Sequence, residues 1–315
     1  MKVLSLFDGM SCGQIALNRA GIKYDTYYAS EIDKYAIQVT QKNYHNTIQL
    51  GDIAKWKEWD IEKPDLIMGG SPCQGFSFAG KQLNFDDPRS KLFFVFADII
   101  KHYKPKYFLL ENVKMKKESQ QVITDIMGVE PVEINSALVS AQNRKRLYWT
   151  NIPGILQPKD KKIYLKDIIE NGVVDKEKSY CLDACYWKGT TIEQYINKKR
   201  RQVAFTERRT EEAKKIRKEF MQKYGRDFSP RRAKELIPRN DNKMNCLTST
   251  FSIKEHTLID EKLYYRKLTP IECERLQTVP DNYTEGVSNT QRYKMLGNGW
   301  TVNVIAHIFK NLKWN

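Results

Sequence analysis

At 315 residues, 41% of them hydrophobic and 11% aromatic, the chain has enough apolar surface to fold around its own core as one large domain or two smaller ones. Its 53 Lys and Arg against 38 Asp and Glu give a net charge of +15, a surplus that favours a polyanionic partner such as nucleic acid. No apolar run approaches the ~20 residues of a membrane span, the stretch Met1 to Asp8 is not a signal-peptide pattern, and six scattered cysteines do not make a disulfide scaffold.

In chain order, Val3 to Phe7 reads as a short apolar strand, followed by a glycine-bearing turn and a helix carrying Ile15, Ala16 and Leu17. Tyr27 to Ser30 is a second strand, with a helix from about Lys34. Asp65 to Met68 and Tyr107 to Leu110 are further strands, each ending in a polar cluster. Repeated strand-helix units predict a parallel sheet covered on both faces, and ligands of such sheets bind beyond the carboxyl ends of the strands. After Pro153 the texture changes. Residues 188–243 hold 18 Lys and Arg against 8 Asp and Glu, two-thirds of the net charge. Thr210 to Tyr224 reads as a helix, with Ala213, Ile216, Phe220 and Met221 between charged positions. A charge run is ordinarily a solvated face; the accompanying aromatics and Pro230-Arg231-Arg232 favour a nucleic-acid surface. From about Leu263 a compact pattern returns and ends in an apolar helix near Val302 to Phe309.

The polar clusters are the candidate site. Phe7-Asp8-Gly9-Met10-Ser11-Cys12-Gly13 lies between a strand and a helix, where glycines let backbone amides approach a ligand at a positive helix end. Glu31 follows the second strand, in the position of an acid that takes two ribose hydroxyls. Asp52, after Gly51, is placed to accept from an adenine amino group; taken singly, Glu31 or Asp52 is equally a helix cap. Cys73, in Ser71-Pro72-Cys73-Gln74, sits at a strand end stiffened by proline, as a nucleophile would, although a lone cysteine is more often an inert buried group. Glu111-Asn112 follows the strand Tyr107 to Leu110. A thiolate beside a carboxylic acid suits attack on an electron-poor ring whose nitrogen must be protonated, and Gln142-Asn143-Arg144-Lys145-Arg146 adds cations to hold that ring. Cys181 and Cys185 face no second pair, so no metal is expected.

Together these segments resemble the DNA cytosine-5 methyltransferases, from residue 3 to about 155 and again from about 263 to 312. The motifs are Pro72-Cys73-Gln74, Glu111-Asn112-Val113, Gln142-x-Arg144-x-Arg146, Arg275-Leu276-Gln277 leading to Pro280-Asp281, and Gly297-Asn298-Gly299, in the family's order. Leu6-Phe7-Asp8-Gly9, Ala29-Ser30-Glu31, Val287-Ser288-Asn289 and Trp300 are most similar to the de novo class, within an otherwise bacterial or phage type. Two positions depart from the common pattern: the first loop is one residue longer, and Ile32 stands where an aromatic often covers the adenine.

The resemblance implies a Rossmann-like α/β methyltransferase sheet with a small target-recognition lobe. Residues 1–155 would form the catalytic and cofactor-binding domain, 156–262 the recognition region, and 263–315 a segment returning to the catalytic domain. It implies S-adenosylmethionine, leaving as S-adenosylhomocysteine, bound by Phe7, Asp8, Gly9, Met10, Cys12, Gly13, Glu31, Ile32, Asp52, Ile53, Asn298, Gly299 and Trp300. It implies a flipped-out cytosine, a covalent Cys73 adduct, Glu111 as acid, and Arg144 and Arg146 supporting the loop and the base. Gln74, Ser77, Arg200, Arg201, Arg231 and Arg232 are the expected DNA contacts, with residues 75–90 closing over the duplex on Gly75 and Gly80. The expected protein is a monomer acting on double-stranded DNA in the cytoplasm of a bacterial or phage-infected cell, at the nucleoid, with a cognate restriction endonuclease as partner or as an orphan enzyme. No regulatory module precedes Val3, in keeping with that source. The rivals are a transfer-RNA cytosine-5 methyltransferase, whose Cys-Phe-Thr tripeptide this sequence lacks, and a catalytically silent DNA-binding homologue, which would have lost Cys73 or Glu111.

Overall fold

A computed structural model describes residues 1–71, 88–206, 208–209, 211–225, 234–235, 256–257 and 264–314. Its centre is a seven-stranded sheet. In chain order the strands are β1 Lys2–Leu6, β2 Thr26–Ser30, β3 Ile48–Gln49, β4 Leu66–Gly69, β5 Tyr107–Val113, β6 Val132–Asn135 and β7 Lys145–Thr150. Across the sheet they run β3-β2-β1-β4-β5-β7-β6. The apolar runs explain the middle of this order. Strands buried on both faces need an apolar residue at nearly every position, and Val3, Leu4 and Leu6 of β1 and Leu66, Ile67 and Met68 of β4 are all fully buried. Alternate residues feed two cores: Val3, Leu66 and Met68 on one face, Leu4, Leu6 and Ile67 on the other.

The helices α1 Cys12–Ala20, α2 Lys34–Asn43, α3 Pro88–Tyr103 and α4 Lys117–Met127 follow. Ile15, Ala16 and Leu17 of α1 join the first core, while Phe93, Phe96 and Ile99 of α3 and Ile123 of α4 join the second. The expected parallel sheet forms: β1 to β5 are mutually parallel, and β7, a strand the sequence did not announce, runs antiparallel to both β5 and β6. The expected position of Glu111 and Asn112 is corrected: they belong to β5, paired with Tyr148 and Leu147 of β7, and do not follow the strand.

The basic half supplies α5 Ile192–Lys198, β8 Val203–Thr206, β9 Arg208–Arg209, α6 Glu211–Tyr224, β10 Lys234–Glu235, β11 His256–Thr257 and β12 Tyr264–Lys267. The helix expected over Thr210 to Tyr224 forms as α6. β12 pairs antiparallel with β8 and with β11, and Tyr195, Val203, Phe205 and Tyr265 make a small satellite core. Leu165, Ile168, Leu182 and Tyr186 instead enter the main core with α7 Pro270–Leu276, α8 Asn289–Asn298 and α9 Val302–Phe309. α9 forms over the residues expected and lies against α1, where Arg19 donates to Asn303 Oδ1 at 3.0 Å.

α7 starts at Pro270, which has no N–H to leave unpaired, under a reciprocal cap between Thr269 and Glu272. Glu272 is wholly buried and takes Arg266 Nη1 and Nη2 at 2.7 and 2.6 Å, and it also accepts from the backbone N–H of Glu170 and of Thr269. Removing one partner of such a pair strands the other charge away from water. Glu272→Ala is therefore expected to lower unfolding free energy by about 3–5 kcal/mol. Denaturant titration checks this, and a loss below ~1 kcal/mol would contradict the role given to the pair.

Candidate active site

The carboxyl ends of β1, β2, β4 and β5 open into a cavity of about 440 Å³. It lies at the place where the chain order of the sheet reverses between β1 and β4, as ligand crevices of open α/β sheets do. Its first wall is the loop after β1. Phe7, Gly9 and Ser11 all take left-handed φ, at 56°, 60° and 63°. At Gly9 nothing lies within 4 Å of where a Cβ would stand, so space is open beside the backbone there. Glu31, at the end of β2, holds this loop: Oε2 accepts from Gly9 N at 2.8 Å, and Oε1 from Ile32 N and Asp33 N, each at 2.8 Å.

Ile32 is 74% exposed on the same wall, an apolar surface turned toward the opening. Asp52 caps a short 3-10 helix, Oδ1 accepting from Ala54 N at 2.9 Å, and it also lines the cavity. Ile53 stands buried beside it. Asn298, Gly299 and Trp300 close the wall from the far end of the chain. Met10 and Gly13 do not line the cavity. Met10 is buried against Gly299, and a Cβ on Gly13 would meet Met68 Cε at 2.3 Å, so that glycine serves helix-on-sheet packing.

Asp8 lines the cavity, but its carboxylate turns inward, accepting from Ser11 Oγ at 2.7 Å and from Tyr27 Oη at 2.8 Å. Burial pushes its pKa from 3.8 up to about 6, against the pull of its hydroxyl partners. Burial likewise pushes the Cys12 thiol, another lining group, up to about 12, which makes it an unreactive neutral group at neutral pH.

The opposite wall carries Glu111, buried at the end of β5. Arg146 Nε meets Glu111 Oε1 at 2.9 Å and Trp300 Nε1 donates to Glu111 Oε2 at 3.2 Å. Asn112 donates to Ser71 Oγ at 3.2 Å, tying β5 to the loop after β4. Arg144 also reaches the cavity, but its guanidinium is built into the frame: it donates to the carbonyls of Leu182 at 3.0 Å, Gly297 at 3.3 Å and Gly299 at 3.0 Å. Its role here is support of the loops.

Sequence reasoning passed over Cys181. Its Sγ lies 3.4 Å from Arg144 Nη1 and 3.8 Å from Arg146 Nη2. Burial pushes this thiol up, but the two guanidinium groups outweigh burial and leave it below the ordinary thiol range. The sequence carried no signal for this, because the arginines are more than 30 residues away and Cys185 drew attention to the wrong neighbour. Cys73, Gln74, Ser77, Arg231 and Arg232 lie outside the described residues, as does all but the end of the segment 75–90. Arg200 is exposed, whereas Arg201 is held by its own chain, donating to Gly189 O at 2.7 Å and meeting Asp183 Oδ2 at 3.4 Å; neither lines the cavity.

Comparison with known proteins gives the class. A *Spodoptera frugiperda* DNMT2 mutant shares the fold at a TM-score of 0.61 and 20% identity, over 98% of each chain. A putative DNA modification methyltransferase encoded in an *E. coli* prophage does so at a TM-score of 0.59 and 18% identity, over 99% of this chain and 98% of the other. The family model for C-5 cytosine-specific DNA methylases matches residues 1–314, and the chain belongs to that family. Among curated relatives, the type II methyltransferase M1.ScrFI of Lactococcus lactis subsp. cremoris is 31% identical, over 99% of this chain and 77% of the relative. M.HhaI of Haemophilus parahaemolyticus is 27% identical over 99% and 94%. The chain is thus a DNA cytosine methyltransferase with the sheet of S-adenosylmethionine-dependent enzymes.

Asp8 makes stability depend on pH with a definite sign. Its folded pKa of about 6 exceeds its starting value of 3.8, so between these limits the folded state holds the proton that the unfolded state has released. Its contribution is greatest below ~4 and is lost as pH rises to ~6, by about 3 kcal/mol. In Asp8→Asn this part of the slope should vanish. Denaturant unfolding of both proteins across that range checks it, and identical slopes would contradict the inward placement of Asp8.

Proposed function

We propose that the enzyme methylates carbon 5 of a cytosine flipped out of double-stranded DNA, at a specific sequence, through a covalent adduct with Cys73. The observation that carries this reading is the meeting of Glu111 and Arg146 in the same cavity whose other wall is built by Glu31, Ile32 and Asp52. One wall suits a nucleoside and the other a protonatable ring. The residues fit S-adenosylmethionine. Glu31, with three backbone donors already on it, keeps one acceptor position on Oε2 for a ribose hydroxyl, Ile32 offers an apolar face to adenine, and the open side of Gly9 leaves room for a ligand against the backbone. Phe7, Asp52, Ile53 and the segment from Asn298 to Trp300 would complete the hold. When bound, this group supplies a methyl carried on a sulfonium, an electrophile that a carbanion-like carbon attacks.

The chain's own residues make that carbon. A stacked base is unreachable, so the cytosine leaves the duplex. Cys73 thiolate adds to carbon 6 as Glu111 hydrogen-bonds the ring nitrogen and the exocyclic amine, and the electrons released make carbon 5 nucleophilic. Arg146 holds Glu111 in position and steadies the base, while Arg144 fixes the surrounding loops. After methylation, loss of the carbon-5 proton and departure of Cys73 restore the ring as 5-methylcytosine. The basic region from 156 to 262, as the recognition lobe, would meet phosphates with most of its cations and base edges with a few. The remaining elements of the reading are a monomer, a nucleoid-associated cytoplasmic enzyme, and a restriction-endonuclease partner. The orphan methyltransferase M.SPRI of *Bacillus* phage SPR, 26% identical over 99% of this chain and 97% of the relative, favours the partnerless alternative to that last element.

Transfer of labelled methyl groups to DNA and to transfer RNA, followed by bisulfite sequencing of the DNA, tests the reading. Methylation of carbon 5 in duplex DNA is expected, and labelling of transfer RNA alone would replace it with the RNA alternative. Cys73→Ala should abolish transfer. Glu111→Gln should bind S-adenosylmethionine as before and turn over ~10²–10⁴ more slowly, the usual worth of a general acid. Wild-type turnover in Cys73→Ala would end the covalent mechanism.

The recognition role generates its own expectation. Arg200→Ala should weaken binding to any DNA and reduce the salt slope by about one. Arg231→Ala or Arg232→Ala, if either side chain reads a base edge, should change which sites are methylated, at ~1–3 kcal/mol of discrimination. Wild-type affinity and site choice in all three would move recognition to other parts of the region.

A further inference from the structure

We propose that Trp300 is a positioning residue for Glu111, and that Gly70 is the gap through which the two side chains meet. This deepens the reading above and rests on its assignment of Glu111 to the base. The resemblance gives Trp300 only to the cofactor wall, but in the structure its indole N–H reaches across the cavity to Glu111 Oε2 at 3.2 Å. The other oxygen, Oε1, is held by Arg146 Nε at 2.9 Å. Each oxygen of the carboxylate therefore has a donor from a different segment: Arg146 from β7, and Trp300 from the linker between α8 and α9, 189 residues along the chain. Two donors on two oxygens fix both the position of the carboxylate and its rotation about the last side-chain bond. A carboxylate held by Arg146 alone would keep that rotation. The carboxyl group's remaining position, when it carries the proton, then faces the base with a set direction, which is what an acid acting on one ring nitrogen requires.

An independent observation supports the same pair. A Cβ placed on Gly70 would stand 2.9 Å from Glu111 Oε2 and 3.2 Å from Trp300 Nε1, the two atoms that make the hydrogen bond. Gly70 has no left-handed backbone to account for its identity. Its lack of a side chain is explained by the approach of these two groups. Trp300 is a ring with one donor atom, so its two functions are separable by substitution: phenylalanine keeps an aromatic wall and removes the N–H.

The test uses the full-length enzyme with S-adenosylmethionine and duplex DNA carrying its methylated site. Trp300→Phe and Gly70→Ala are measured singly and together, for kcat, for KM and for cofactor affinity by calorimetry. Each single variant is expected to lose about tenfold or more in kcat, the scale of one hydrogen bond to a charged group, while cofactor affinity changes less than about threefold. The double variant should be no slower than the worse single variant, because both changes break one interaction. Wild-type kcat in Trp300→Phe overturns the proposal, as does a double loss equal to the product of the single losses. Loss of cofactor binding in Trp300→Phe also overturns it, since the indole would then serve the cofactor wall alone. If Trp300→Phe does not fold, Gly70→Ala decides by the same split between kcat and affinity. Glu111→Gln, run in parallel, separates the two levels of the argument. Wild-type turnover there removes the role of Glu111 itself, whereas a slow Glu111→Gln beside a wild-type Trp300→Phe removes only the role of Trp300.

Discussion

The Arg144 guanidinium sits in the interior with no carboxylate among the described residues to meet it, and a group with five fixed N–H donors cannot remain there unless they are satisfied. It finds its acceptors in main-chain carbonyls, Leu182 from one segment and Gly297 and Gly299 from another. β7, the 181–184 segment and the end of α8 are thereby held as one piece. The fit between the last two is close: a Cβ on Gly297 would come within 2.3 Å of the Asp183 backbone, which has no flexible end to move aside. Everything that Asn298, Gly299 and Trp300 present to the cavity depends on this junction. So does Arg146, two residues further on, near the start of β7.

The neighbouring motif residues extend the same frame. Gln142 Nε2 donates to Leu276 O and to Gln277 Oε1, each at 2.8 Å, while its Oε1 accepts from Leu182 N at 3.2 Å. Gln277 Nε2 donates to Leu296 O at 2.6 Å and to Gly299 O at 3.1 Å. Segments that are far apart in sequence, and that the resemblance groups as motifs, are thus linked through buried amides. A polar network of this kind is worth having only if its members are satisfied, and Thr301 Oγ1 contributes to that by donating to Gln277 Oε1 at 2.9 Å. Glu111 and Arg146 stand at its edge, where the frame gives way to the cavity.

The parallel strands were legible because burial on both faces leaves a nearly continuous apolar run, as in Val3 to Leu6 and Leu66 to Met68. β5 was read short for the converse reason. Glu111 and Asn112 look like loop residues, yet backbone pairing with β7 continues past the apolar stretch and carries them as strand. β6 and β7 had no readable signal: Val132 to Asn135 is half-buried, and β7 opens on Lys145 and Arg146 before its apolar Leu147, Tyr148 and Trp149. The lining of the cavity was legible where a residue follows a strand, as at Glu31 after β2 and Asp52 after β3. It was not legible where three dimensions choose between equal residue types. Nothing in Gln142-x-Arg144-x-Arg146 says that the first arginine binds carbonyls and the second a carboxylate. What distinguishes them is the acceptors that packing supplies: the carbonyls of Leu182, Gly297 and Gly299 around Arg144, and Glu111 beside Arg146.

The cofactor loop shows how a costly local conformation is retained. Left-handed backbone is free for Gly9 but not for Phe7 or Ser11, each of which costs of the order of 1–3 kcal/mol unless its surroundings enforce it. Asp8 lies between them and supplies the enforcement. Its carboxylate takes the hydroxyl of Ser11 on one side and that of Tyr27, from β2, on the other, while Ser11 Oγ accepts in turn from Gln14 at 2.9 Å. The consequence reaches across the loop, because the backbone shape so fixed points Gly9 N at Glu31. Burying Asp8 raises its pKa and so weakens the folded state at neutral pH, but an exposed acid at that position would leave Ser11 and Tyr27 without a shared acceptor. The stability lost at Asp8 is therefore the cost of a loop that turns a backbone amide, that of Gly9, toward the carboxylate at the end of β2.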